Sequence, residues 1–403
     1  MKKILILLLG TLSIVPVALS KPKCLKNAEK LIGNAAEIVQ ARKYISEAMA
    51  DTLLERQAYT HYLAGKIEKE LYRHYYKKLS INRNDPSVDH TAMADALINA
   101  YREFVTTMSL DTLTDKKGRK KTTYSPEIAE WITKSAPAIY NAGIAYMNKK
   151  LYFPKGYEAF MIYADLPDKS FFIPSTPMSD SVRATAYFYG GVMAYNAAKH
   201  REAASAFRRA REFGYKRKEV FLNEMSSLSH LAQDNPTDID SLSASVTKLA
   251  HRGFMLYGNT NPLFLQKYVA GMLIEHKPDR ALSAIDIAIK DGKGSLSDLH
   301  AMKASVMASM GRNIDAVDEY KTAASDTLAQ FNTLQMAAQH IAMVGIAQLG
   351  ETQGRGKEAR RKTKEIKESY LRPALEYALR AKAIKNDDPI VANTIETVTY
   401  YLH

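Results

Sequence analysis

Ten histidines, one cysteine and several carboxylate clusters are the groups in this sequence that could bind a metal, attack a carbonyl or move a proton. No two histidines stand three or four residues apart, the spacing that puts two imidazoles on one helix face around a zinc ion. His61, His200 and His300 instead fall where a helical pattern needs packing or turn residues. Asp234-Asn235-Pro236-Thr237-Asp238-Ile239-Asp240 alternates carboxylates as a calcium loop does, but it has proline at the third position and no glutamate at the twelfth. Gly354-Arg355-Gly356-Lys357-Glu358-Ala359 satisfies a loose dinucleotide-binding pattern, yet it follows a helical stretch where such glycines must follow a strand. Asp291-Gly292-Lys293-Gly294-Ser295 has the look of a phosphate loop. Gly294 stands where Ser or Thr must reach magnesium, however, and Ile287 where the first glycine belongs, so a link between helices is expected. Cys24 has no base fixed beside it. These residues support no enzymatic reading, and no cofactor or metal is expected.

With no catalytic constellation in hand, bulk properties decide the class. Residues 1–20 join Lys2 and Lys3 to an apolar run from Ile4 through Leu9 and a largely apolar continuation to Leu19, the composition of a secretory signal. Ala18 and Ser20 supply the small side chains a signal peptidase prefers, so cleavage after Ser20 and export across a bacterial inner membrane are expected. Nothing later approaches the roughly 18 consecutive apolar residues of a membrane span. The lone Cys24 has no disulfide partner, and Lys23 occupies the place where lipid attachment requires a small residue. A free thiol near a frayed end is expected. The formal charge of +13 falls to +11 once Lys2 and Lys3 leave with the signal. Export turns that charge away from nucleic acid and toward lipid headgroups, lipopolysaccharide phosphates and acidic protein faces.

The elements that must position any site are helices. Alanine and tyrosine are abundant, β-branched runs are nearly absent and Trp131 is the only tryptophan. The clearest unit, residues 184–215, splits at Ala198-Lys199-His200 into two helical halves. The first carries Tyr187, Gly190, Gly191, Ala194 and Tyr195; the second carries Ala203, Phe207 and Ala210. A small-large-small triple at zero, four and seven returns as Ala281, Ile285 and Ala288 and again, 35 residues on, as Ala316, Tyr320 and Ala323, with Gly311 at the intervening turn. Another unit runs from Ile139 through Ala142-Gly143 and Tyr146 to Tyr152, Gly156 and Phe160, around a short loop at Phe153-Pro154. Ala41, Ile45 and Ala48, then Leu63-Ala64-Gly65, carry the pattern back almost to the mature N-terminus; Ala374, Ala378 and Ala381 carry it forward to a cap helix ending at Leu402. The pattern is looser at 73–125, with loops at 82–89 and 111–124, and at 221–253, where 234–238 lengthens a turn.

This order of residues and the 35-residue recurrence resemble the tetratricopeptide repeat, whose period is about 34 residues. Two positions depart from that family: Gly190 replaces a leucine, and Tyr195 comes one place late. The resemblance implies an all-α, right-handed superhelical solenoid of antiparallel helix hairpins with a concave groove lined by the first helix of each repeat. In that frame Tyr140, Ile144 and Asn148 of one repeat and Phe188, Val192, Tyr195 and Asn196 of another face the groove. Asn148 and Asn196 would hydrogen-bond an extended peptide, and the aromatic rings would supply apolar contact. The Lys, Arg and Asn set of the family's peptide-carboxylate clamp is not present.

Residues 21–180 are expected as N-terminal helical repeats with loop insertions, 181–349 as the central array, 350–369 as a basic flexible insertion, and 370–403 as the last repeat helix and cap. Lys116, Lys117, Arg119, Lys120 and Lys121, and Arg360, Arg361 and Lys362 in the insertion, form two basic loops able to dock an anionic membrane surface. The expected function is a non-catalytic scaffold holding a protein or peptide partner in the periplasm or at the outer membrane. The C-terminal Val398-Thr399-Tyr400-Tyr401-Leu402 is similar to the end of secreted repeat proteins of the Bacteroidetes type. The alternative is a glycan-handling protein, which a single tryptophan disfavours.

Overall fold

The computed structural model describes residues 22–33, 35–111, 113–114, 120–352 and 356–403. The chain divides into two compact units, Met1–Ala198 with Glu212–Gly214, and Lys199–Arg211 with Tyr215–His403. The proposed signal segment and Gln353, Gly354 and Arg355 lie outside the described residues.

The first unit contains α1 (Lys23–Leu31), α2 (Ile38–Met49), α3 (Ala58–Ile81), α4 (His90–Leu110), α5 (Ser125–Tyr146), α6 (Phe153–Asp165) and α7 (Asp180–Asn196). The expected all-α fold is what forms: among the described residues the only extended pairing is a two-residue antiparallel ladder between β1 (Leu113–Thr114) and β2 (Lys120–Lys121). Consecutive helices pack as hairpins through small residues. Gly65 on α3 lies so close to Phe104 on α4 that a Cβ there would stand 2.5 Å from the ring, and Gly143 on α5 is placed likewise, 2.8 Å from Phe160 on α6. The loose stretch at 73–125 holds the end of α3 and the whole of α4, two long helices packed as a hairpin across the expected loop at 82–89. Phe153-Pro154 is not a loop. It opens α6, because a proline in the first helical turn withholds an N–H that has no partner there in any case. Cys24 is not at a frayed end either: α1 already begins at Lys23, and the thiol is half-buried against the cluster of Leu25, Ala28, Ile38 and Ala41.

The second unit contains α8 (His200–Glu212), α9 (Glu219–Asp234), α10 (Ile239–Tyr257), α11 (Pro262–Ile274), α12 (Pro278–Asp291), α13 (Leu296–Ser309), α14 (Asn313–Ser325), α15 (Phe331–Glu351), α16 (Lys357–Ile366), α17 (Arg372–Ile384) and α18 (Pro389–Leu402). The small-large-small triples of this unit are buried, Ala203, Phe207 and Ala210; Ala281, Ile285 and Ala288; Ala316, Tyr320 and Ala323; and so are the three alanines Ala374, Ala378 and Ala381 at the same spacing. The repeat is visible in the turns as well. Gly311 has φ 77°, and the N–H of Arg312 reaches back to the carbonyl of Met307 at 3.0 Å, the left-handed closure that ends a helix. His276, 35 residues earlier, closes α11 in the same way with φ 55° and a bond of 2.8 Å from Lys277 N–H to Met272. The supposed phosphate loop at 291–295 is a turn between α12 and α13 whose Lys293 carbonyl accepts from Asn259 at 2.8 Å.

Residues 350–369 correct the reading of that segment as a loop. Lys357–Ile366 is helical and runs through a π-turn at Lys367–Leu371 into α17. Lysine, arginine and glutamate are good helix formers, and Glu368 to Arg372 at 2.8 Å supplies a pair across one turn, so polarity here marks an exposed helix.

Candidate functional site

The three helices α3, α4 and α5 are fixed at one end by aromatic contacts. Phe104 meets the edge of Trp131 at 5.0 Å, and Tyr62 stacks on Tyr124 at 4.3 Å. The Tyr62 hydroxyl donates to Glu127 at 2.7 Å; desolvation, and then that hydrogen bond, push the phenol pKa up. Near the other end, Asp95 of α4 accepts from the Tyr146 hydroxyl at 2.7 Å and from Lys155 of α6 at 2.7 Å. The link between α4 and α5 is closed by Asp111. Its carboxylate is buried and accepts from the backbone N–H groups of Thr123, Tyr124 and Ser125 and from the Ser125 hydroxyl, at 2.7–3.0 Å.

Between these fixed ends, α3 and α5 stand apart over α4 and leave a groove of ≈ 790 Å³. Met93, Ala94 and Leu97 of α4 form its apolar floor; Tyr72, Tyr76 and Leu79 form one wall; Ala138, Asn141 and Ala145 form the other. The Tyr72 and Tyr76 ring centroids are 6.1 Å apart, and burial raises the Tyr72 pKa. Three basic side chains, Arg83, His90 and Lys134, line it, and no carboxylate does. Lys134 pairs with Glu130 one turn back along α5 at 2.5 Å, while Arg83 makes no ion pair among the described residues. The two carboxylates nearby in sequence are engaged elsewhere. Asp85 accepts the Ser87 N–H at 2.9 Å, and Asp89 caps α4, accepting from the Thr91 hydroxyl and N–H at 2.6 and 2.8 Å. Those hydrogen bonds hold both carboxyls below the usual range. His90 and Met93 bring the first turn of α4, the positive end of its dipole, to the same groove.

The residues expected to line a groove divide. Ile144 is 46% exposed and, at 3.6 residues per turn, shares the α5 face of Asn141 and Ala145; Asn148 is exposed in the turn just after. Tyr140 is turned off that face into the α5–α6 seam, with its ring 5.4 Å from Phe160 and 5.1 Å from Tyr163. Phe188, Val192 and Tyr195 lie half-buried along one face of α7 with Asn196 exposed at its end, apart from the α3–α5 groove. Tyr72, Tyr76, Arg83, His90, Lys134 and Asn141 were missed by sequence reasoning; the tyrosine pair four apart on a long helix was the one available signal.

Lys116, Lys117 and Arg119 lie outside the described residues, and Lys120 and Lys121 form β2, with Lys121 exposed. Arg360, Arg361 and Lys362 are exposed on α16. Two of the histidines expected at packing positions are held by hydrogen bonds: His61 is 7% exposed between Glu103 (2.7 Å) and the Glu55 carbonyl (2.8 Å), and His300 contacts Glu319 at 2.6 Å. Among the described residues no cluster of His, Cys, Asp or Glu is arranged to hold a metal ion.

No family model and no curated protein matches the chain. Among solved structures it is similar to YrrB, described as a TPR protein with an unusual peptide-binding site, at 12% identity over 53% of this chain and 92% of that one, with a TM-score of 0.33. It is also similar to a tetratricopeptide repeat protein from Parabacteroides merdae, at 8% identity, 82% and 98% coverage and a TM-score of 0.30. The apo form of RapI gives 11% identity, 94% and 96% coverage and a TM-score of 0.33.

Proposed function

We propose that this chain is an exported, non-catalytic scaffold of tetratricopeptide-repeat type that works in the periplasm or at the outer membrane of a bacterial envelope and holds a segment of another protein in the α3–α5 groove. The observation that carries the reading is the groove itself: an apolar floor, two tyrosines on one wall and an amide on the other, and three basic side chains with no carboxylate. An apolar floor buries a side chain, tyrosine offers area with a polar tip, and Asn141 can pair with an extended backbone. The favoured occupant is a segment that alternates large apolar residues with Asp or Glu, because Arg83, His90 and Lys134 penalise a cationic one. Ile144 and Asn148 continue the same wall, and the α7 stripe of Phe188, Val192, Tyr195 and Asn196 offers a second surface of related chemistry. The formal charge of +13, or +11 once Lys2 and Lys3 leave with the signal, adds attraction for acidic partners and for a peripheral contact with an anionic membrane surface.

Selection of displayed random peptides on the full chain tests the reading. Enrichment of acidic-apolar sequences that lose binding to an Arg83→Glu/Lys134→Glu variant is expected. Failure to enrich any sequence class, or enriched peptides that bind this variant equally well, would overturn it.

A further inference from the structure

Ten residues of α16 bury no side chain, an unusual state for a helix that continues into a packed one. The helix carries a row of cations instead. Arg360, Lys364 and Lys367 follow at intervals of four and three, on one face, and wall a notch of ≈ 430 Å³ closed on its other side by Leu402 of α18. Arg372 joins them. The π-turn at Lys367–Leu371 takes in an extra residue, and Arg372, on the far side of it, lines the same notch. Such turns recur at functional sites more than elsewhere.

The hydrogen bonds leave donors to spare. Lys367 donates one hydrogen bond to the Leu402 carbonyl at 3.0 Å, which ties the π-turn to the last turn of α18. Arg372 uses its Nε on Glu368 at 2.8 Å, and that glutamate is the only carboxylate in the lining. Arg360 and Lys364 make no ion pair among the described residues, and Thr363 lines the same notch. Four cations against one carboxylate, with two guanidinium forks and a hydroxyl, match a group that has several acceptor oxygens and more than one negative charge.

We propose that the notch between α16 and the end of α18 binds a phosphate-bearing anion, a site in the second unit separate from the groove between α3 and α5. The chemistry is that of a phosphomonoester or diphosphate, which occurs both free in solution and on lipid headgroups. Lysine alone would serve a diffuse field; the paired guanidinium groups favour oxygens fixed in a plane or tetrahedron.

The test titrates inorganic pyrophosphate into the full chain by calorimetry, and in a second arm sediments the chain with vesicles of phosphatidylcholine containing phosphatidic acid, whose headgroup is a phosphomonoester, or of phosphatidylcholine alone. An Arg360→Gln/Lys364→Gln variant is compared with Lys26→Gln/Lys30→Gln, which removes the same charge from exposed positions on α1. Saturable pyrophosphate binding weakened about tenfold or more only by the α16 variant supports a free phosphoanion. Sedimentation with the phosphatidic acid vesicles and not with phosphatidylcholine alone, lost only in the α16 variant, supports a headgroup. Absence of binding in both arms, or equal weakening by the two variants, overturns the site; circular dichroism checks that both remain folded.

Discussion

Asp111 stands at the joint that sets the angle between α4 and α5, and with it one wall of the groove. Burial alone would raise its pKa, but the donors from Thr123, Ser125 and Tyr124 outweigh that and hold the carboxyl below the usual range. Removing a buried acceptor strands three backbone N–H groups, so Asp111→Ala is expected to destabilise the first unit by about 2–3 kcal/mol, read by denaturant titration of Trp131 fluorescence. Because the folded-state pKa is the lower one, this contribution is complete above the ordinary aspartate value and is lost as pH falls through the folded one. Asp111→Asn should therefore flatten the acid side of the stability profile. His276 offers the opposite case. It holds the left-handed position that Gly311 fills one repeat later, and a side chain there strains the backbone. His276→Gly is expected to raise stability by about 1 kcal/mol, visible as a higher melting temperature, and a lower one would show that the imidazole makes up for the strain. The repeat spacing made Gly311 legible in the sequence; His276 was not, since its type gives no hint of a positive φ.

At the scale of elements, the recurring device is a glycine on one helix under an aromatic ring on the next: Gly65 with Phe104, Gly143 with Phe160 and Gly253 with Phe264. An added methyl has nowhere to go but into the ring, because it would start 2.5–2.8 Å from it. Gly143→Ala is expected to destabilise by about 1–3 kcal/mol despite alanine's better helix propensity, and a stabilised protein would contradict the close packing. The buried triples were readable because burial repeats at helical spacing, and they marked α12 and α14 and the turn at Gly311 directly. The basic stretch after α15 was misread because its inward face, Ala359, Thr363 and Ile366, is only half-buried and weakly apolar; propensity and paired charges mark the rest of the helix, and both resemble the composition of a loop. Lys357–Ile366 is helical all the same.

On the scale of the whole molecule, the sequence made the class of fold plain and the site obscure, and the reason is physical. A hairpin core is local and periodic, while the groove gathers Tyr72, His90 and Asn141 from three helices whose approach depends on Gly65, Asp111 and the ring contacts of Trp131. Tyr140 failed as a groove residue because a half-buried tyrosine serves a seam as readily as a ligand. A strongly basic chain with basic residues along the groove should bind an acidic-apolar partner less well as salt rises toward the regime where the Debye length is about 3 Å, with the loss mainly in association rate. The central claim, that the α3–α5 groove holds a segment of another protein, is tested most directly by placing a photoreactive residue at Asn141 and irradiating cells that carry the chain. A single protein adduct that disappears when Arg83 and Lys134 are both changed to Glu is the expected result. Adducts no more abundant than those from a probe at the exposed Lys30, or a yield unchanged by the double charge reversal, would contradict it.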